Sequence, residues 1–225
     1  MRALFVAGAG TEIGKTYLTA ALTQALRAMG RPVRTLKPLA SGVPPLDHPD
    51  FAESDTARLL AAQGLPVGPE TVAACSPWRF AAPLAPDLAA AREGRSLALP
   101  DLVRWCEAQI AAAEPGTTVV IEGVGGLMSP ITGAETGLDW LKALRLPALL
   151  VSGSYLGAIS HALTAVETLR AHDCPLVAVA VSESAGAPTP PETVAEAIGS
   201  RIGAPVFCLR RGAECPEALA LLAAA

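Results

Sequence analysis

Lys15 and Thr16 close the segment GAGTEIGKT, Gly8 to Thr16. An ammonium and a hydroxyl at the end of a glycine-rich turn are suited to phosphate chemistry. Backbone N–H groups of the turn, together with the positive end of a following helix, converge on phosphate oxygens. Gly14 permits close approach, Lys15 reaches the β- and γ-phosphates, and the Thr16 hydroxyl is placed to ligate Mg²⁺. The first glycine position of the general pattern G-x-x-x-x-G-K-S/T is held by Ala9, flanked by Gly8 and Gly10, so the loop is a variant. A nucleoside triphosphate is the expected ligand, the bland alternative being an ordinary glycine-containing helix start.

Three more carriers of charge stand where elements begin or end. Lys37 opens Lys37-Pro38-Leu39-Ala40-Ser41-Gly42, at the carboxyl edge of a strand expected over 33–36. Ligands of open parallel sheets bind at that edge, which favours a site lysine over a solvated one. Ser54-Asp55 begins a helix running to about Gln63, and Asp55 reads equally as a helix-start carboxylate or as a second Mg²⁺ ligand. Glu122 leaves the β-branched run 117–121 and enters Gly123-Val124-Gly125-Gly126. A carboxylate there can hold Mg²⁺ directly or through water, and the glycines allow phosphates to come close. His48, His161 and His172 show no ligand spacing and read as structural. No Ser/His/Asp or Cys/His set supplies a protein nucleophile.

The elements that must position these residues follow from periodicity and punctuation. Strands are expected over 3–7, 33–36, 117–121, 147–151, 176–181 and 206–209, and helices over 17–29, 55–63, 100–113, 157–171, 189–202 and 216–222. Alternating apolar strands and amphipathic helices describe an α/β fold, a mostly parallel central sheet with helices on both faces, of the P-loop NTPase kind. Residues 43–53, with three prolines, are expected to form a mobile loop over the site. The proline-rich stretch 67–94 is read as loop, with Trp78 and Phe80 either walling a pocket or filling core.

At 225 residues, with no linker or charge run dividing it, the chain is expected to be one domain spanning 1–225. Apolar residues make up 51%, yet no run approaches the eighteen or so of a membrane span, so no membrane partner is expected. The first apolar stretch is too short for a signal peptide and runs straight into the glycine-rich loop, so it is expected to remain as a strand. Five scattered cysteines without C-x-x-C spacing fit a reducing cytoplasm. A net charge of −4 and no basic cluster argue against nucleic acid.

Taken in order, the motifs resemble those of the dethiobiotin synthetase family over nearly the whole chain. GAGTEIGKT is similar to that family's variant P-loop, Lys37-Pro38 with Ser41-Gly42 to its K-P-x-x-S/T-G turn, Ser54-Asp55 to its S-D pair, and Glu122 to Gly126 to its E-G-A-G-G turn. Pro83-Leu84-Ala85-Pro86 and Leu156-Gly157-Ala158-Ile159-Ser160-His161 also fall in order. The resemblance implies an enzyme that joins 7,8-diaminopelargonate to CO₂ (from bicarbonate) with ATP and Mg²⁺, closing the ureido ring and releasing ADP and phosphate. It further implies that Lys15 and Lys37 neutralise carbamate and phosphoryl, that Thr16, Asp55 and Glu122 hold Mg²⁺, and that Thr11 and Ser41 hydrogen-bond the carbamate or diamine. Nucleotide contacts carried over are Glu12, Ile13, Gly14, Lys15, Thr16, Tyr17, Asp55, Glu122, Gly123, Val124, Gly125, Ser182 and Glu183. The resemblance implies, too, that the turn and helix start at Gly157, Ala158, Ile159 and Ser160 reach the substrate's tail carboxylate across a homodimer interface.

Departures from the family pattern carry information. Ser160 stands where asparagine is usual, and Asp87 where histidine is common. Ser182-Glu183 replaces an Asn-Asp pair whose amide reads adenine, a paired contact that a serine cannot make. Leu209-Arg210-Arg211 lacks a proline common in the second base-contacting segment, and the two changes together imply weak discrimination among triphosphates. The competing readings are a related P-loop amidoligase, which normally carries a further domain, and a nucleotide-driven switch ATPase, which often carries an early second lysine that the segment before Thr11 lacks.

Overall fold

The computed structural model describes residues 2–225. Eight strands and nine helices follow one another along these residues. They are β1 (Arg2–Gly8), α1 (Lys15–Ala28), β2 (Val33–Leu36), β3 (Leu39–Ser41), α2 (Asp55–Ala62), α3 (Pro69–Cys75), β4 (Trp78–Phe80), α4 (Pro86–Arg92), α5 (Leu99–Ala111), β5 (Thr118–Glu122), α6 (Gly137–Leu144), β6 (Ala148–Ser152), α7 (Ala158–Ala171), β7 (Leu176–Ser182), α8 (Pro191–Gly199), β8 (Val206–Leu209) and α9 (Glu217–Ala224). Six strands form one sheet in the order β2-β5-β1-β6-β7-β8, with every pairing parallel. The α/β fold expected from the sequence is thus present.

Both faces of the sheet are covered, which is why β5 and β6 are buried at every position. On one face Phe5, Val119, Ile121 and Leu150 meet Leu102 and Cys106 of α5, Trp140 of α6 and Val166 of α7. The Phe5 and Trp140 rings meet edge to face at 5.0 Å. On the other face Leu4, Val6, Val120 and Leu149 meet Leu18, Leu22 and Leu26 of α1 and Leu219 of α9. The leucines of α1 recur every four residues and are fully buried. Each contributes about 1.5–3 kcal/mol of apolar burial, enough to hold the α1 N-terminus against β1.

Among the described residues the outer edge of β2 carries no seventh strand. The Gln63 side chain instead accepts from Thr35 N (2.8 Å) and donates to Thr35 O (3.0 Å), while Lys37 N donates to Cys75 O (3.1 Å). The helices α2 and α3 thereby close an edge that would otherwise expose unpaired backbone.

Two segments differ from the sequence expectation. Residues 67–94 hold α3, β4 and α4 instead of a loop, and β3 pairs with β4 in parallel as a separate two-stranded sheet. Residues 43–53, expected as a loop, contain a 3₁₀ turn over Pro49–Glu53, with Val43 and Phe51 buried in a small core with Ala57, Leu60 and Val72. Phe80 is buried, whereas Trp78 is half-buried and packs edge to face on Trp105 at 6.0 Å, so both serve packing. No described helix is long and apolar enough to cross a membrane.

Candidate active site

The order of the strands places β1 between β5 and β6, so the carboxyl ends of these three strands open at one place. The chain leaves β1 at Gly8 and turns into α1 at Lys15. Two positive dihedrals make the turn: Glu12 at φ 57° and Gly14 at φ 92°. A side chain on Gly8 would crowd Gly125 O, at 2.8 Å from the added carbon, and the Lys15 stem. Glycine is required there because the loop and the turn after β5 touch backbone to backbone. Leu127 N donates to Gly8 O (2.7 Å) and Ala9 N to Val151 O (2.8 Å), fastening the loop to both neighbouring strands.

Five of the expected site residues converge beside this loop. Lys37 Nζ donates to Glu122 Oε1 at 2.5 Å and to Asp55 Oδ2 at 2.7 Å. Thr16 Oγ1 donates to Glu122 Oε1 at 2.6 Å, and Lys15 Nζ donates to Gly10 O at 3.0 Å. The Lys37 and Glu122 side chains are 4% and 0% exposed, while that of Asp55 is 44% exposed. Burial pulls the Lys37 ammonium down, but Glu122 and Asp55 outweigh it and hold the group above the ordinary lysine value. Burial also pushes the Asp55 carboxyl up, and Lys37 overcomes this to leave it below its ordinary value. For Lys15 the balance falls the other way: burial, then the charge of Lys37, outweigh the opposing pull of Glu122 and Asp55 and lower it to about 8.

The donor set suits a hard divalent cation. Two carboxylates and a hydroxyl lie on three elements around one point, and such cations take oxygen ligands. Glu122 Oε2 is buried and has no hydrogen-bond partner among the described residues, an orphaned acceptor of the kind that a cation or its bound water satisfies. Thr16, Asp55 and Glu122 therefore fit the Mg²⁺ that the motifs imply. Ser54 caps α2 through its hydroxyl, accepting from Ala57 N at 3.2 Å, so the serine takes the capping work and Asp55 keeps its carboxylate for Lys37.

A family model described as an AAA domain matches residues 2–209. The ATP-dependent dethiobiotin synthetase BioD of Methylobacterium nodulans is 76% identical over 216 residues, covering 96% of each chain. The protein of the same name from Caulobacter sp. (strain K31) is 45% identical over 94% of this chain and 89% of its own. This chain belongs to the dethiobiotin synthetase family. Among solved structures, a ParA family ATPase from Chlorobium tepidum TLS superposes with a TM-score of 0.52 at 13% identity, covering 99% of this chain and 90% of that one. At that identity the likeness concerns the fold alone.

In this member of the dethiobiotin synthetase family the remaining expected residues are spread along the same sheet edge. Ile13 is buried beneath the loop, and Thr11 and Glu12 are exposed at its tip, with Thr11 Oγ1 beside Gly125. Gly123 is buried against Phe5, and Val124 and Gly125 are half-buried. Ser182 lies directly under Gly14, its hydroxyl buried and without a hydrogen-bond partner among the described residues, so the loop glycine covers it. Tyr17 donates to Arg210 O (3.0 Å) and accepts from Gly212 N (2.6 Å), while Arg211 stacks over its ring and Arg211 N donates to the Glu183 carboxylate (2.8 Å). Ser41 ends β3, and beyond the turn that follows β6 Gly157 leads with φ 99° into α7, where Ala158 is buried, Ile159 half-buried and Ser160 exposed. Among the described residues the Ser41 and Ser160 side chains share no hydrogen bond with the Lys37 cluster.

Several positioning groups escaped the sequence reading. Ser154 and Ser184 exchange backbone and hydroxyl hydrogen bonds at 3.0 Å, tying the turns after β6 and β7 together. Ser129 Oγ accepts from Gly126 N (2.8 Å) and fixes the turn after Glu122. The serine three residues after Gly126 was a readable turn signal. The Ser154–Ser184 pair left none, being thirty residues apart. A cleft of about 660 Å³ also runs from Thr16 and Tyr17 along α1, between α2 and residues 212–215.

Proposed function

We propose that this chain is an ATP-dependent dethiobiotin synthetase that carboxylates 7,8-diaminopelargonate and closes the ureido ring. The observation that carries the reading is the pair of buried lysines, Lys15 and Lys37, gathered with Glu122 and Asp55 where the phosphate-binding loop opens. One substrate amine takes up CO₂ as a carbamate. A carbamate oxygen attacks the γ-phosphorus and ADP departs, leaving a carbamic–phosphoric anhydride. The second amine then attacks the carbamoyl carbon, closes the ring and expels phosphate.

Each step joins substrate groups only, so the protein's task is positioning and charge stabilisation, the work that phosphoryl transfer chiefly asks of a protein. Lys15 meets the transferring phosphoryl group and Lys37 the carbamate, with Thr11 and Ser41 as hydrogen-bonding partners of carbamate or diamine. Thr16, Asp55 and Glu122 would hold Mg²⁺, whose charge would offset that gathering on the phosphates. Glu12, Ile13, Gly14, Tyr17 and the Gly123–Gly125 turn wrap the nucleotide, and Ser182 and Glu183 lie towards its base. The segment 157–160 would take the substrate's tail carboxylate from across a homodimer interface, a reading supported by Leu156, which stands 88% exposed beside it. Residues 1–225 would act as a single domain in the cytoplasm.

The test is phosphate release from ATP and Mg²⁺ with bicarbonate, with and without 7,8-diaminopelargonate, while dethiobiotin is followed by mass. One dethiobiotin per phosphate, only with the diamine present, is the expected result. Release indifferent to the diamine, with no ureido product, would overturn the reading and favour a switch ATPase or another ligase.

A further inference from the structure

We infer that Lys37 is the internal counter-cation of the metal site, and that a divalent cation and Lys37 exchange places on Asp55 and Glu122. The inference rests on the proposed reading of Thr16, Asp55 and Glu122 as metal ligands. The Lys37 ammonium lies 2.5 Å from Glu122 and 2.7 Å from Asp55 and is almost wholly shut off from water. Mg²⁺ held by the same two carboxylates would be a close neighbour of that ammonium. A dication and a lysine so placed, in a site with little water, repel each other strongly. The carboxylates therefore hold one cation or the other in their shared grip.

Exchange has a consequence for the order of events. An ammonium displaced from both carboxylates stays buried and must find another anion. Lys15 is parked in the same way on the Gly10 carbonyl, inside the phosphate-binding loop. A metal–nucleotide complex thus releases both lysines, Lys15 to a phosphate and Lys37 to whatever anion arrives beside it. Lys37 becomes available to an anionic co-substrate only after the cation has taken its carboxylates, so the cation acts as the trigger as well as an electrostatic partner. The orphaned Glu122 Oε2 gives an entering cation a first foothold that Lys37 does not already hold.

The experiment measures Mn²⁺ binding to the nucleotide-free protein by electron paramagnetic resonance. Lys37→Met, which removes the competing charge and keeps the length of the chain, is expected to tighten Mn²⁺ binding at least tenfold. Unchanged or weaker binding would overturn the exchange. Should Lys37→Met fail to fold, the wild type decides: the ¹⁵N resonance of its buried ammonium is expected to shift in step with Mg²⁺ occupancy, and a resonance unmoved at saturation overturns the inference. Glu122→Gln separates the two claims. Loss of Mn²⁺ binding in that variant upholds the metal reading whatever Lys37 does, whereas wild-type affinity in Glu122→Gln removes the metal reading and the exchange with it.

Discussion

Removing the Lys37 charge should destabilise the protein through Glu122 far more than through Asp55. Glu122 is fully buried, and without Lys37 its carboxylate keeps only the Thr16 hydroxyl. Breaking a buried ion pair by deleting one partner costs about 3–5 kcal/mol, because the remaining charge is left uncompensated. Asp55 is 44% exposed, so water takes over its solvation and its half of the pairing is worth no more than about 1 kcal/mol. Because the Thr16 hydroxyl still donates to Glu122, the expected cost of Lys37→Met is taken at the lower limit, about 3 kcal/mol. For a chain of this size that lowers Tm by roughly 6–12 °C. The assay is urea unfolding at neutral pH in chelator for the wild type, Lys37→Met, Glu122→Gln and the double variant. The double variant, which buries neither charge, should recover at least about 2 kcal/mol of the loss, the coupling expected of groups in direct contact. Pairing Lys37→Met with Asp55→Asn should recover less than about 1 kcal/mol. Strict additivity of Lys37→Met and Glu122→Gln, or a Lys37→Met variant as stable as the wild type, would refute the account of a buried pair.

Four other outcomes are expected. Lys37→Ala should lower kcat by at least about a hundredfold, the loss typical of one electrostatic contact to a transition state, while nucleotide still binds; an unchanged kcat excludes that role. Gly14→Ala should cost about 2–4 kcal/mol in denaturant unfolding, from a left-handed backbone and from overlap of the new methyl with the Ser182 hydroxyl, and Ser182→Gly should relieve only the second part. ATP and CTP should give similar kcat/KM, since Ser182 is sealed under Gly14 and offers no amide to a base; a hundredfold preference for ATP would disprove this. Asp139 accepts from Thr136 N at 2.9 Å to complete the cap of α6, and that contact holds its carboxyl below the ordinary 3.8. Asp139→Ala should cost about 1 kcal/mol at neutral pH. Because the folded-state value is the lower one, the contribution is present above pH 3.8 and lost as pH falls through the folded value, so the wild type and the variant should converge in acid melts.

The sheet was legible because its strands are short apolar runs bounded by glycine and proline, and each starts or ends within a residue or two of the expected place. The stretch 67–94 was not legible, for a physical reason. The helices α3 and α4 have seven residues each and begin at Pro69 and Pro86. Seven residues are too few for a helical period to declare itself, and a proline favourable at a first helical turn looks the same in sequence as a loop proline. The strands β3 and β4 are three residues each, and they form only because they find one another. No expectation covered α6, although Thr136-x-x-Asp139 spells its N-terminal box.

The residues of the site were legible one by one from their motifs, but the contact that organises them was not, because it depends on register. Leu36 of β2 lies opposite Ile121 of β5, so the next residue of each strand, Lys37 and Glu122, leaves the sheet side by side although 85 positions separate them. On its other side β5 pairs with β1, and Glu122 falls opposite Val6, two residues before the phosphate-binding loop begins. A slip of one residue between β2 and β5 would turn Lys37 away from Glu122 and reverse which face of β2 is apolar. The burial that fixes that register is supplied by Leu36, Val120 and Ile121, none of which is among the expected site residues. The apolar pairing of two strands therefore determines which charges meet. A conservative change at Leu36 that shifts β2 should damage the Lys37–Glu122 pair as surely as a change in either charge.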